Sequence, residues 1–239
     1  MKVVIEPSRF RRLLENVLIY HGGAELDSNV GIFTPKKVEF RDISLEVMAV
    51  YAAYSPKFFL EYEAGEEQVP LSKSLLEQMR YGFSGDKQMT VRTEGDKIHL
   101  EGTRERYEEP LMDVSVGEFP IPIVADKTLG LVPKDLEPQV QVMLKADTLT
   151  GLPKAETYLF RCDGEKLEVI VEDVGKYTKE LTPSKTQVLE EMEIKFDAGY
   201  FAKAANQFGG DVWLTFRPDV AVFSQKLKDS MLTYLLSSV

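Results

Sequence analysis

Cysteine is almost missing from this chain: Cys162 is the only one among 239 residues. No intrachain disulfide can form. Cys162 lies in the strand-like run TYLFRCDG and reads as a small buried apolar residue, because a reactive thiol wants a base beside it. Histidine is as scarce, with only His21 and His99. No zinc-ligand spacing exists, so no metal or other cofactor is expected. Long apolar runs are missing too. The longest are strand-length and broken by charge, so no segment is expected to span a bilayer and no membrane partner is expected. The opening MKVVIEPSRF lacks the apolar core and small-residue cleavage site of a signal peptide, which makes the cytoplasm the expected location. There is no glycine-rich phosphate loop, nucleophile elbow or paired-histidine motif. Carboxylates are many, but none is paired in an element that would hold it for acid–base work. An enzyme is not expected.

What is present suits a folded protein, with 44% hydrophobic and 28% charged residues, a balance far from that of disordered chains. The length suits one large domain or two ordinary ones. The net charge of −10 argues against nucleic acid, whose affinity comes chiefly from cations at phosphate, unless positive charge is gathered on one face.

The chain is strand-rich with short helices. A first helix is expected from Pro7 to Tyr20, with Pro7 in its first turn. Phe10, Leu13, Leu14 and Val17 lie on one side, Arg9, Arg12 and Asn16 on the other, and Gly22 and Gly23 stop it. Residues 24–37 read as extra sequence. Strands follow at 38–41, 43–50 and 58–64. A helix spans 71–82, with Leu71, Leu75, Leu76 and Met79 inward and Lys73, Glu77 and Arg80 outward. Strands come next at 87–93, 97–102 and 105–112. Residues 114–136, with three prolines and two glycines, read as an extended linker lying along a surface. The pattern then restarts: a strand at 139–145, a helical turn at Asp147 to Leu152, and strands at 156–162, 166–173 and 176–181. The run QVLEEMEIKF (187–196) leads into a helix at 197–208, capped by Asp197 and closed by Gly209 and Gly210. Strands at 211–216, 220–225 and 231–236 end the chain. The order of elements repeats, which gives an α+β protein of two similar domains, 1–113 and 137–239, joined by a connector at 114–136.

Four features in order resemble the archaeal and eukaryotic sliding clamps of the proliferating-cell-nuclear-antigen (PCNA) family. They are the strand opening into a basic helix in VVIEPSRFRRLLENV, the run TRERYEEPLMDV, the connector with Phe119-Pro120-Ile121-Pro122, and the final MLTYLLSSV. The resemblance implies two clamp domains per chain, with sheets outside and helices lining a ring channel. It implies a processivity factor that encircles duplex DNA without reading sequence. The expected partners are a polymerase, nuclease, ligase and clamp loader, and self or paralogous subunits in a trimeric ring. The alternative is a clamp-like interaction subunit that is not itself a general processivity factor.

The same resemblance assigns residues. Arg9, Arg12, Lys73, Arg80 and Lys203 face DNA, with Lys145 and Lys154 as weaker candidates. Ala53, Lys57, Phe58 and Leu60, with Ile121 and Ile123, and Ala221, Leu235, Leu236 and Ser237, form a pocket for client peptides. Ring closure pairs Glu105, Tyr107, Glu109 and Leu111 with Lys176, Tyr177, Lys179 and Leu181, whose charges and apolar spacing are complementary.

Overall fold

The structure, a computed structural model, describes residues 1–18, 20–21, 24–25, 28–44, 48–112, 123–126, 130–134, 137–172 and 175–239. They form two compact units. The first comprises Met1–Asp42, Val50–Glu118 and Leu227–Met231; the second comprises Ile43–Ala49, Phe119–Lys226 and Leu232–Val239.

In chain order the first half contains β1 (Lys2–Ile5), α1 (Pro7–Val17), the short pair β2 (Tyr20–His21) and β3 (Ala24–Glu25), then β4 (Ser28–Thr34), β5 (Lys37–Ser44) and β6 (Met48–Tyr54). After a single 3-10 turn at Pro56–Phe58 come β7 (Glu61–Glu63), β8 (Glu67–Ser72), α2 (Lys73–Tyr81), β9 (Met89–Glu94), β10 (Lys97–Glu101) and β11 (Arg106–Pro110). The second half contains β12 (Ile123–Asp126), β13 (Gly130–Pro133), β14 (Val140–Lys145), α3 (Ala146–Leu149), β15 (Thr157–Asp163), β16 (Leu167–Glu172) and β17 (Lys176–Leu181). It ends with β18 (Lys185–Leu189), β19 (Glu191–Asp197), α4 (Ala198–Ala205), β20 (Asp211–Arg217), β21 (Val220–Lys226) and β22 (Ser230–Ser237).

The repeat expected from element order is present in the sheets. The first unit has the strand orders β11-β10-β9-β1-β7 and β6-β5-β4-β8. The second has β22-β21-β20-β14-β18 and β17-β16-β15-β19. Replacing β1 by β14, β4–β8 by β15–β19 and β9–β11 by β20–β22 turns one pair of orders into the other. The helices obey the same rule: α1 follows β1 as α3 follows β14, and α2 precedes β9 as α4 precedes β20. Neighbouring strands pair antiparallel, as β1 does with both β7 and β9.

Each unit buries its helices' apolar faces against its sheets. α1 buries Pro7, Phe10, Leu13, Leu14 and Val17 and has no side-chain cap; Pro7 at its first position removes one of the N–H groups that a helix start leaves unbonded. It ends at Val17, where Leu18 turns extended, rather than at Tyr20. α2 begins at Lys73, because Leu71 and Ser72 belong to β8. The Ser72 hydroxyl caps it by accepting from the Leu75 N–H at 3.2 Å. α4 is capped by Asp197, which accepts from the Tyr200 N–H at 3.0 Å. Its small residues Ala198, Ala204 and Ala205 let Phe201 insert among rings, with centroids 4.8 Å from Phe160 and 5.0 Å from Phe223.

Two further expectations give way, and a segment that carried no assignment is strand. The segment read as an insertion contains β4, paired with β5 on one side and β8 on the other. Residues 185–197 form β18 and β19, and β19 buries Met192, Ile194 and Phe196 in strict alternation. The connector contains a hairpin, β12 against β13. Its Val132 is buried in a cluster with Ala49, Val220, Val222 and Leu235 in the second unit, and Trp213 packs against the cluster.

Candidate functional site

In the first unit α1 and α2 pack together and turn cations outward. α1 carries Arg9, Arg11 and Arg12 against Glu15; α2 carries Lys73 and Arg80 against Glu77. Arg11, Arg12 and Arg80 are exposed and Lys73 is half-buried. The Arg9 guanidinium lies 3.4 Å from Glu6, donates to the Phe58 carbonyl at 3.3 Å and sits over the Phe58 ring at 6.0 Å. Arg12 acts electrostatically on the Tyr54 hydroxyl. Burial pushes that phenol up to about 12, with an Asn16 hydrogen bond and the Arg12 charge pulling the other way. Asn16 is therefore not an outward residue: it is half-buried and donates to the Tyr54 hydroxyl at 3.3 Å.

A cleft of about 370 Å³ lies between the start of α1 and the end of α2, and Arg11, Arg80 and Lys87 line it beside Glu6 and Asp86. Arg11 and Lys87 were not singled out from the sequence. Arg11 neighbours the chosen Arg12, and Lys87, expected to open a strand, lies in the loop before β9.

The second unit is poorer in cations at the equivalent place. α3 is a single turn without a basic residue, ended by Gly151 and Pro153. Lys145 at its start is 2.7 Å from Asp211. Lys203 on α4 is half-buried, and Lys154 is exposed in the loop after α3. The equivalent cleft, about 280 Å³, is lined by Lys145, Asp147, Thr150, Asn206 and the Gly209–Gly210 pair.

The docking residues divide. In the first unit Ala53 is half-buried, Lys57 is exposed and Leu60 is 50% exposed. Phe58 is half-buried, with its ring 4.5 Å from that of Tyr54. In the second unit Leu235 joins the cluster that holds Val132, and Ser237 is half-buried. Ala221 and Leu236 are 0% and 1% exposed, so they cannot serve as surface groups. Side chains alternate along a strand, and Val220 and Val222 hold the places beside Val132 that the sequence reading assigned to Ala221. Ile123 lies opposite Pro133 in the hairpin. Ile121 falls outside the described residues.

The two proposed edges are the terminal strands of their sheets, β11 in the first unit and β17 in the second. Several of their residues already have duties. The Glu109 carboxylate accepts from Ser72 at 2.6 Å, from Tyr107 at 2.7 Å and from Ser74. It fastens β11 to the cap of α2. Glu105 accepts from the Phe83 N–H at 2.6 Å, holding a left-handed turn in which Phe83 has φ 59°. Lys179 donates to the Thr148 carbonyl at 2.8 Å. Lys176 is exposed, Tyr177 is 40% exposed and Leu111 is half-buried. Leu181 is 1% exposed and belongs to the core, so it offers nothing to a partner.

Among the described residues, no cluster of His, Cys, Asp or Glu could hold a metal ion, and no helix is long and apolar enough to cross a membrane.

Two antiparallel α+β units of identical strand order, each with its pair of helices, define a duplicated architecture. That architecture is the fold of the PCNA sliding clamps. The chain is similar over 100% of its length to a chain of the PCNA2–PCNA3 complex from Sulfolobus tokodaii, covering 99% of it with a TM-score of 0.78 and 16% identity. It is similar over 100% of its length to a chain in the structure of the C-terminal region of FEN-1 bound to A. fulgidus PCNA, covering 98% with a TM-score of 0.75 and 14% identity. No protein-family model and no curated protein matches the sequence.

Proposed function

We propose that this chain is a sliding clamp, a ring subunit that encircles duplex DNA and tethers replication and repair proteins to it, without enzymatic activity. The observation that carries the reading is a cationic layer on α1 and α2 of a chain whose net charge is −10. Arg9, Arg12, Lys73, Arg80 and Lys203, with Arg11 and Lys87 added, would meet phosphate. No base readout is needed, because a clamp must slide. The two solved clamps support the partner classes: one is a complex of two PCNA chains, the other carries the C-terminal region of FEN-1. By the same resemblance a polymerase, nuclease, ligase and clamp loader would bind this chain. Its place would be the cytoplasm, at the nucleoid, or the nucleus in a eukaryote. Ala53, Lys57, Phe58, Leu60, Ile121, Ile123, Leu235 and Ser237 are the proposed client contacts, Ala221 and Leu236 being withdrawn. Tethering raises the effective concentration of a bound client at its substrate.

The test separates topological from electrostatic retention. Ordinary DNA binding weakens steeply with salt because counterion release drives it. Protein loaded on nicked circular DNA should survive a high-salt wash in gel filtration and leave once the circle is cut. Equal release from circular and linear DNA would remove the encircling mechanism.

A further inference from the structure

We propose that the connector hairpin is an intramolecular competitor for the client site. Val132 fills the apolar depression of the second unit that a client's anchor side chain would enter, and a client must displace it. The inference rests on the client reading above and adds to it how access is regulated.

The sheet around β20 and β21 has two faces, and the register tells them apart. Leu214 lies opposite Phe223, and Phe216 opposite Ala221. These residues point to the helix side, where the Phe223 ring meets Phe201 of α4 with centroids 5.0 Å apart. The alternate set points the other way: Trp213 opposite Ser224, Thr215 opposite Val222 and Arg217 opposite Val220. An antiparallel sheet packed on one face commonly keeps the other polar. Here the second face carries an apolar cluster, in which Val220 and Val222 join Leu235 and Ala49, with Trp213 packed against them. The connector's Val132 completes that cluster and is 5% exposed. Leu235 shows the consequence. It is a proposed client contact, yet it is as deeply covered as Val132. Strand parity puts Ala221 in the core; Leu235 instead shares its cover with a connector residue. A client reaches Leu235 once Val132 has left.

The hairpin is free to leave. β12 and β13 form a two-stranded sheet of their own, with Val124 opposite Val132, and among the described residues neither strand joins another sheet. A lone two-stranded hairpin is marginal in water. Its packing on β21 therefore holds it, and lifting it breaks no larger ladder. Valine is also a small occupant. An aromatic side chain buries about 150–250 Å², so a client's ring would gain more from the same walls than Val132 loses. An occupant that keeps most sites closed weakens every client in proportion to the open fraction.

Calorimetry on the full-length chain measures that effect, with a short synthetic peptide carrying two adjacent phenylalanines as the probe. Val132→Asp unseats the hairpin, because an unpaired carboxylate does not stay buried among valines. The peptide should then bind about tenfold tighter or more than to wild type. Val132→Ile keeps an apolar occupant and should bind no tighter than wild type. Trp213, the single tryptophan of the chain, reports the seat without peptide. Its emission should move to the red in Val132→Asp while circular dichroism is unchanged. Hydrogen exchange on wild type needs no variant: saturating peptide should speed exchange of the β12 and β13 amides. Three results would each overturn the competition and leave the client site standing: equal or weaker binding by Val132→Asp, an emission that does not move, or slower hairpin exchange with peptide bound. Peptide that binds neither wild type nor Val132→Asp would remove the client reading of this depression, and the competitor with it. Retention on the nicked circle would still stand, because it tests encirclement and not docking.

Discussion

The two units share one strand order and differ in what they put on it. The first packs leucine-rich helices, with Leu13 and Leu14 of α1 and Leu75 and Leu76 of α2 all buried. The second packs rings: Phe160 and Phe196 stand with centroids between 4.8 and 6.2 Å from each other and from those of Phe201 and Phe216. The first presents a cationic helix pair, while the second has one full helix and a single turn. A sheet order is held by backbone ladders running along whole strands, so it tolerates such exchange. Helices touch the sheets by side chains alone, and their outer faces are free to follow the task. Under the proposed function, the first unit would make most of the phosphate contacts.

The largest expected effect tests the cores. Phe201→Ala removes a ring from an aromatic cluster and should destabilise by about 3–5 kcal/mol, against about 2–5 kcal/mol for Leu14→Ala in the first unit. Urea unfolding followed by circular dichroism measures both. A loss under about 1 kcal/mol at either site would mean that its surroundings collapse to fill the space.

The charge contrast comes next. Reversing Arg9, Arg12, Lys73 and Arg80 together should flatten the dependence of log K on log salt by about 0.9 for each phosphate no longer neutralised, while Lys203→Glu removes at most one such step. Fluorescence anisotropy on short duplex measures the slopes at low salt. Equal slopes for the two variants would abolish the asymmetry between the units.

A third difference lies in acid. Glu39 of the first unit is the one buried carboxylate among the described residues. Burial alone would raise its pKa. Hydrogen bonds from Lys37 and Tyr51, with the charges of Lys37 and Arg41, outweigh burial and hold it below its ordinary value of 4.5. A depressed folded pKa contributes stability that is complete above the unfolded value and is lost as pH falls through the folded one. Hydrogen exchange should therefore show β5 and β6 loosening below about pH 4.5 before the second unit does. In Glu39→Gln that pH dependence should shrink, and simultaneous loosening of both units would refute the assignment.

Much of this was readable from the sequence, and the failures have physical causes. α1 and α4 were legible because Phe10, Leu13, Leu14 and Val17 keep helical spacing and because Asp197 and Gly209–Gly210 mark two ends. β4 was not. Its Asn29 and Gly31 resemble a loop, yet Gly31 is needed because a Cβ there would lie 2.5 Å from the Phe40 ring. β19 was hidden by helix-forming Glu, Met and Lys, and its alternation of Met192, Ile194 and Phe196 was the better signal. Ala221 and Leu236 were misplaced by strand parity, which composition cannot supply. The duties of Glu105 and Glu109 depend on a left-handed turn and on a cap distant in sequence.

The smallest expected effect compares the two helix caps. Ser72→Ala and Asp197→Ala each remove a side-chain acceptor from a helix start, a loss of about 1 kcal/mol in unfolding experiments. The caps differ in what lies behind them. Asp197 stands at the end of β19, at the opposite edge of its sheet from β17. The Ser72 hydroxyl also donates to Glu109, which is hydrogen-bonded to Tyr107 on the edge strand. Removing it leaves Glu109 one donor short and frees Tyr107 to shift. Where β11 closes a ring, as the clamp resemblance implies, Ser72→Ala should therefore weaken association between copies in light scattering, while Asp197→Ala leaves it unchanged at matched stability. Ser72→Thr keeps the hydroxyl and should restore both stability and assembly. If the two alanine variants associate alike, the cap of α2 is a local device and β11 is held in place by its ladder with β10 alone.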